Sequence, residues 1–420
     1  MSLLIFTEEI NPRKEYVFNH LFNGILGINY TLTNQKDIYI NYSEAKISYS
    51  QESSFEDDLF FKSHSIINEN TVQSQNNFAF ADWENLKIPF RVASSVFDCD
   101  VFAASFYFLS RYEEYIISER DSHQRFEGKS SLAYQNNFIY RPIIDEWAYL
   151  IAKKIKNHFP NFEIKARKFE FIPTLDIDRP YYFKTDTWLK RLAKQVLKGL
   201  IQDPFDVYEQ VKNWDNQFGQ QTLYFLLLAN KHRFDVAPSI KNPLSLDFLK
   251  QIGSQNKIGI HPSYASNFEE NEVTKEKNLL AEISKQTITK SRQHYLMLTL
   301  PKTYKNLIAA GIKEDYTLTF ADTGGFRAST CTPFYWYDLE NEQITNLMLN
   351  PTAMMDQSLK KYLGLTPDES TKLLTELLDN VKVVNGTFIS LWHNETIGNY
   401  GDWKGWQKVY LEMISKASKL

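Results

Sequence analysis

The sequence predicts an α/β fold: a barrel of seven βα units over residues 166–420, preceded by a smaller α+β domain over residues 1–165. Three observations predict it. From Lys168 onward, short apolar runs recur, each separated from the next by a segment with helical periodicity. Seven such runs over about 230 residues suit a (β/α) barrel, which takes about 250. Before Lys168 the rhythm is irregular, with short strand-like runs joined by polar connections. An open doubly wound sheet is the rival, but no glycine-rich dinucleotide fingerprint or P-loop follows any run.

In the first part, Ile38–Asn41, Ala45–Tyr49 and Phe78–Phe80 read as strands, with Ser/Asn/Gln-rich loops between them. A helix is expected over Asp100–Glu114, where Phe102, Phe106, Phe108, Leu109 and Tyr112 favour one face. A second runs from Ile144 to His158, with Trp147, Leu150, Ile151 and Ile155 apolar, and Pro160 ends it. The charged stretch Leu109–Tyr115, with Arg120–Phe126 after it, is expected to form a salt-bridged interface or capping surface. The seven expected barrel strands are Phe169–Asp178, Thr222–Ala229, Lys257–His261, His294–Thr299, Tyr316–Ala321, Thr345–Leu349 and Phe388–His393. Between the first two, Trp188, Leu189, Leu192, Val196 and Leu200 lie near one helical face, and Lys190, Lys194 and Lys198 stripe another. Such a helix is expected to pack on the barrel with its lysines in water; peripheral contact with a membrane is the rival.

Composition narrows the function classes. A 15% aromatic share supplies large side chains for a core and argues against disorder. With 47 Lys+Arg against 51 Asp+Glu, the net charge of −4 provides no push toward nucleic acid. Cys99 and Cys331 are far apart, which excludes a disulfide scaffold and a cysteine-based zinc site. There is no apolar run of membrane-spanning length, and the N-terminal run is short for a secretory signal, so a soluble cytoplasmic protein is expected.

Catalytic groups of βα barrels sit at the C-terminal ends of strands. Period-two alternation puts Thr174, Asp176 and Asp178 on one face. Two carboxylates there repel unless a cation or proton separates them, which suits one metal ligand and one general base. His261 shares a face with Gly259, whose small size leaves room beside the imidazole, and Arg292 shares one with His294. Gly324 and Gly325 allow a tight turn that brings Arg327 toward the centre. Ile389, Leu391 and His393 share the face of the last strand. Together these residues point to a metal hydrolase.

From Lys168 to Glu395 the motifs resemble the NodB homology domain of polysaccharide deacetylases, carbohydrate esterase family four. Thr174-Leu-Asp-Ile-Asp178 is similar to the family's first motif, which implies Asp176 as the base and Asp178 as a metal ligand. His261 resembles the first histidine of its H-x-x-x-H motif, whose second position is Ala265 here. His294 is taken as the replacement ligand, imidazole being better than the hydroxyl of Ser263 or Ser266. Gly325-Phe-Arg327 resembles the motif whose arginine holds the base. Leu391-Trp-His393 resembles the L-x-H motif, which implies an acyl-pocket leucine and a general-acid histidine, with Asp356 the candidate to tune the latter.

The resemblance implies a distorted (β/α)7 barrel that removes an N- or O-acyl group from a sugar, a polysaccharide or a lipid-linked saccharide, using a divalent metal. Zinc leads, with nickel, cobalt and manganese as rivals. The expected assignments are Asp176, His393 and Arg327 as catalytic, Asp178, His261 and His294 as metal ligands, and Leu391, Arg292 and Ser263 as substrate-binding. The alternative is a catalytically silent carbohydrate-binding or scaffold protein on the same fold.

Overall fold

The computed structural model describes residues 2–74, 79–83 and 86–420. The chain begins with a four-stranded, all-parallel sheet of β1 (Ser2–Phe6), β2 (Asn29–Thr33), β3 (Lys46–Ser50) and β4 (Phe60–Lys62), in the order β2-β1-β3-β4. β1 is the apolar run at the N-terminus, buried on both faces as parallel strands are. The expected strand Ile38–Asn41 lies instead in a helix, Lys36–Asn41, because only Tyr39 turns inward while Ile38 and Ile40 stay exposed. Of the expected strand Phe78–Phe80, Phe78 lies outside the described residues; β5 (Phe80–Trp83) pairs antiparallel with β6 (Leu86–Pro89). The helix Val101–Leu109 is buried on every side, and Asp100 caps it by accepting from the backbone N–H groups of Phe102 and Ala103, both at 3.0 Å. The helix Ile143–His158 closes this part of the chain.

The second sheet is built from β7 (Glu170–Ile177), β8 (Leu223–Leu226), β9 (Lys257–Ile260), β10 (Lys290–Ser291), β11 (Glu314–Asp315), β12 (Phe334–Asp338), β13 (Gln343–Leu349), β14 (Met354–Met355) and β15 (Thr387–His393). Their order is β12-β13-β11-β10-β9-β8-β7-β15-β14, and every neighbouring pair except β12–β13 is parallel. The molecule is therefore α/β with parallel sheets. β13 and β14 belong to one passage of chain, which pairs with β11 at its start and with β15 at its end. Two expected strands lie upstream of their predicted places. His294–Thr299 begins with a 3-10 turn (His294–Leu296) and continues as largely buried loop, Tyr316–Ala321 is buried loop, and the short strands before them are β10 and β11. Apolar residues there report burial, which a loop at the end of a parallel strand shares with the strand itself.

One cluster of buried apolar side chains contains residues from both sheets, from Leu3 to Ala417. Buried charges cross the same junction. Arg13 donates to Glu342, and Asp145 accepts from Thr330, Thr332, the Cys331 N–H and Arg167. Arg327 is the third case, and its expected catalytic role gives way here. Gly324 and Gly325 do form a tight turn, at φ 67° and 87°, but it runs against the first part of the chain. A Cβ on Gly325 would come within 2.5 Å of the Ile139 carbonyl oxygen. The turn aims Arg327 at Glu114, to which it donates at 2.8 and 2.6 Å, while its remaining nitrogen donates to the Thr319 carbonyl at 3.0 Å. Arg111 donates to both Glu113 and Glu114 and completes a buried ion cluster. The charged stretch expected as an interface is one.

Burial alone would raise the Glu114 carboxyl, but Arg327 and Arg111 outweigh it and hold the group at about 2, against an ordinary 4.5. Between those values the unfolded chain binds more protons than the native one, so the stabilisation is complete above pH 4.5 and is lost toward pH 2. Glu114→Gln leaves Arg327 buried without its counter-charge and is expected to cost about 3–5 kcal/mol in urea unfolding near neutral pH. The variant should also show a shallower fall in urea midpoint than the native chain when the pH is lowered from about 5 to about 3.

Candidate metal centre

Parallel strands deliver their C-terminal ends to one edge, and polar residues gather there. Asp176 stands in register with His393 on one side and Phe225 on the other; Asp178 lies one residue beyond the end of β7. Asp176 is buried, and its partner is Arg292, which donates to Oδ1 at 2.8 Å. The same guanidinium donates to Thr174 Oγ1 at 2.6 Å, to the Tyr316 carbonyl at 3.0 Å and to Thr352 Oγ1 at 3.1 Å. It lies 4.6 Å from the centre of the Phe225 ring. That ring has its place because residue 259 is glycine: a Cβ would come within 2.6 Å of it. The space expected beside the imidazole of His261 is thus filled by the ring that carries Arg292.

Two expectations change here. Arg292 is fully buried and holds the carboxylate of Asp176, the role expected of Arg327, so it does not meet substrate. Its guanidinium needs a buried anion, and Asp176 supplies the carboxylate it bonds. Ser263 is also fully buried and does not line the cleft. Its hydroxyl donates to Glu276, its N–H donates to the same carboxylate at 2.9 Å, and its Oγ accepts from the Ser266 N–H at 3.1 Å.

Asp178, His261 and His294 each offer one ligand atom, and these atoms lie within 4.8 Å of one another. The tautomers follow from the partners. His261 Nδ1 faces the Arg292 carbonyl oxygen at 2.6 Å, so Nδ1 carries the proton and Nε2 presents a lone pair. His294 Nδ1 donates to Asp235 Oδ1 at 3.1 Å, and Asp235 accepts from the N–H groups of Tyr264 at 2.7 Å and Ala265 at 3.2 Å. Ala265, where the motif histidine is missing, thus steadies the carboxylate that orients the histidine in use. Each Nδ1–H is tied to an acceptor and each Nε2 points at Asp178, at 3.3 Å from His261 and 3.5 Å from His294.

The residues present fit a divalent cation. Asp178 Oδ1 is buried and has no hydrogen-bond partner among the described residues, and it faces a His261 nitrogen that also presents a lone pair. Two acceptors at that separation are satisfied by a positive ion between them. Burial would raise Asp178, yet His294 first, and His393 with it, outweigh it and hold the carboxyl well below the usual range. Burial would lower His294, yet Asp178 and Asp235 outweigh it and push the ring up to about 9. The pocket therefore favours positive charge. Two imidazoles and one carboxylate, with room for a further ligand, are a donor set of the catalytic zinc type.

His393 completes the group. Its Nδ1 contacts Asp356 Oδ1 at 2.8 Å, its N–H donates to Asp356 Oδ2 at 2.8 Å, and its Nε2 lies 4.0 Å from Asp178. Burial opposes the charged ring, but Asp356, then Asp178 and Asp176, outweigh it and push it up to about 10. Asp176, Asp178, His261, His294 and His393 floor a cleft of about 390 Å³. Leu391 packs with Leu296, Ala321 and Met355 as its apolar wall. Arg125, Phe234 and Tyr295 line its sides. Asp235 and Arg125 escape sequence reasoning: Asp235 sits in the loop after β8, a strand end that displays no motif, and Arg125 enters from the first part of the chain.

Residues 3–160 match the model of a family of unknown function, DUF7033. No curated protein matches the chain. Among solved structures, a protein assigned as a polysaccharide deacetylase from Mycobacterium smegmatis is 15% identical, with 61% of this chain and 86% of that chain covered at a TM-score of 0.40. A polysaccharide deacetylase from Bacillus cereus is 15% identical, over 59% of this chain and 88% of that chain, at 0.31. A 4-alpha-glucanotransferase from Thermococcus litoralis is 13% identical, over 61% of this chain and 38% of that chain, at 0.38. Likeness at these scores carries no chemistry across.

Titration calorimetry with zinc on chelator-treated protein should show one site, and Asp178→Asn, His261→Ala and His294→Ala should each weaken it severely. Asp235→Asn touches no metal and should still cost about 10–100-fold in affinity, because His294 loses its orienting partner. Ser263→Ala should bind zinc as the native chain does. Equal binding by His294→Ala and the native chain would remove that residue from the ligand set.

Proposed function

We propose that the chain is a metal-dependent hydrolase that removes an N- or O-acyl group, acetyl foremost, from a sugar, polysaccharide or lipid-linked saccharide. One observation carries it: three donor side chains close enough together to hold a cation, a guanidinium-held carboxylate and an Asp-backed imidazole meet on the floor of one cleft. The sugar and the acyl group come from the motif resemblance to the NodB domain. The parallel strands are taken as that domain's distorted seven-stranded barrel over residues 166–420, with 1–165 as an accessory domain. Cys99 and Cys331 are buried free thiols, which suits a cytoplasmic setting.

Asp178, His261 and His294 would hold the cation, with zinc the leading ion. A divalent cation there supplies Lewis acidity to an acyl carbonyl. Arg292 engages Oδ1 of Asp176 and leaves Oδ2, 3.7 Å from His261 Nε2, to take the proton of the attacking water. Leu391, Leu296 and Met355 form an apolar wall for a small acyl group. His393, held by Asp356, gives its proton to the departing nitrogen or oxygen. A silent binding scaffold leaves the His393–Asp356 pair without a task.

The test is acyl release from N-acetylated sugars and from activated acetyl esters. Asp176→Asn should keep zinc and lose about 10²–10⁴-fold in rate. His393→Ala should also keep zinc, and its deficit should shrink on esters whose leaving group needs no proton. Should neither substitution alter hydrolysis, the chain is not this kind of enzyme.

A further inference from the structure

The helix Trp188–Lys198 is turned the opposite way from a surface helix that covers a core. None of its residues is buried. At 100° per residue, Trp188, Leu189, Leu192, Val196 and Leu197 fall within one half of the helix circumference, and Lys190, Arg191, Lys194 and Lys198 fall within the other. The basic half faces the protein: Lys194 donates to the Tyr182 carbonyl at 2.9 Å and pairs with Asp186 at 2.8 Å, and Lys198 donates to the Tyr182 hydroxyl. The apolar half faces water. Its five large side chains and Ile201 beyond them are between 50% and 91% exposed. The expectation that this helix packs its apolar face on the sheet is thereby corrected; Tyr182 and Asp186 take its lysines instead. An exposed apolar surface of this kind marks a binding face.

Charge selects the occupant. Residues 187–202 contain four basic residues and no acidic one. Lys190 and Arg191 are exposed and border the apolar half on its two sides, where long cationic side chains reach up from buried stems to phosphates. A second copy of the chain, seated apolar face to apolar face, would bring the same cations against each other with no acid on the helix to pair them. An anionic bilayer pairs them and takes the apolar half. We propose that this helix docks the protein on an anionic lipid surface, with Trp188, Leu189, Leu192, Val196 and Leu197 in the headgroup–acyl boundary and Lys190 and Arg191 on lipid phosphates. Docking does not depend on the hydrolase reading, but the two are neighbours. The helix lies in the connection that leaves β7 beside Asp178, and Phe205, in the same connection after the helix, lines a groove with Asp178 and His393. A docked protein would hold its cleft near a substrate displayed on the membrane.

Co-sedimentation of the full chain with vesicles tests this. With equimolar phosphatidylglycerol and phosphatidylcholine the native chain should sediment, and with phosphatidylcholine alone it should bind at least tenfold more weakly. Val196→Ser/Leu197→Ser changes only exposed positions, should keep the native melting temperature, and should bind the anionic vesicles at least tenfold more weakly. Lys190→Glu/Arg191→Glu should lose the preference for anionic vesicles. The proposal is overturned if the native chain stays in the supernatant, if either double variant binds as the native chain does, or if Val196→Ser/Leu197→Ser instead dissolves a dimer seen in sedimentation velocity. Sedimentation reads no hydrolysis, so vesicle binding without acyl release ends the enzyme reading alone.

Discussion

The Arg292 guanidinium is the interaction on which the site depends. It reaches from the end of β10 to Asp176 and Thr174 on β7, to the Tyr316 carbonyl after β11, and to Thr352 in the passage between β13 and β14. A buried guanidinium is tolerated only when its donors are used and a carboxylate is close. Both conditions are met by groups from separate strands, so satisfying the arginine also sets how those strand ends lie against one another. Its own backbone carbonyl takes the Nδ1 proton of His261, which frees the other ring nitrogen for the centre. One residue therefore orients the carboxylate on one side and the imidazole on the other.

The same logic repeats around the cleft. His294 leans on Asp235, and His393 leans on Asp356. In each case an outer acceptor takes the Nδ1–H hydrogen bond and orients the ring, and the other ring nitrogen faces Asp178. Asp178 is the exception, with a buried oxygen that has no hydrogen-bond partner among the described residues. His294 and His393 supply positive charge beside it, which is how a carboxylate at the end of a strand stays ionised there.

The first part of the chain contributes to this edge as well as to the core. Arg125 donates to the Tyr295 carbonyl and to the Tyr362 hydroxyl, both at 2.9 Å, and so ties two loops of the cleft rim together. Gly128 donates its N–H to Asp322 at 2.8 Å, and Arg327 meets Glu114 a few residues further on. A cleft rim held in this way requires both parts of the chain to be folded against each other.

The sequence by itself determined the alternation of strands and helices after Lys168, and with it the edge where polar residues collect. It also marked the candidates for chemistry: Asp176, Asp178, His261 and His393 by residue type and by position at or after the end of an expected strand, and His294 by residue type alone, since it was expected to begin a strand and instead follows the short β10. Tertiary structure alone decided the pairings. Arg292 and Arg327 both follow strands and are both fully buried, so nothing local says which one meets Asp176; only the turn at Gly324 and Gly325, and the presence of Glu114 across the junction, send Arg327 elsewhere. Asp235 carries no motif and acquires its role from the orientation of His294. The helix Trp188–Lys198 shows the same limit: its sequence defines an apolar half and a basic half, but which half meets the protein depends on Tyr182 and Asp186 being there to receive the lysines. Periodicity is a property of neighbouring residues and survives in the sequence, whereas the partner that receives a side chain, from 8 residues away for Lys194 and Asp186 or 213 for Arg327 and Glu114, is set only once the chain has folded.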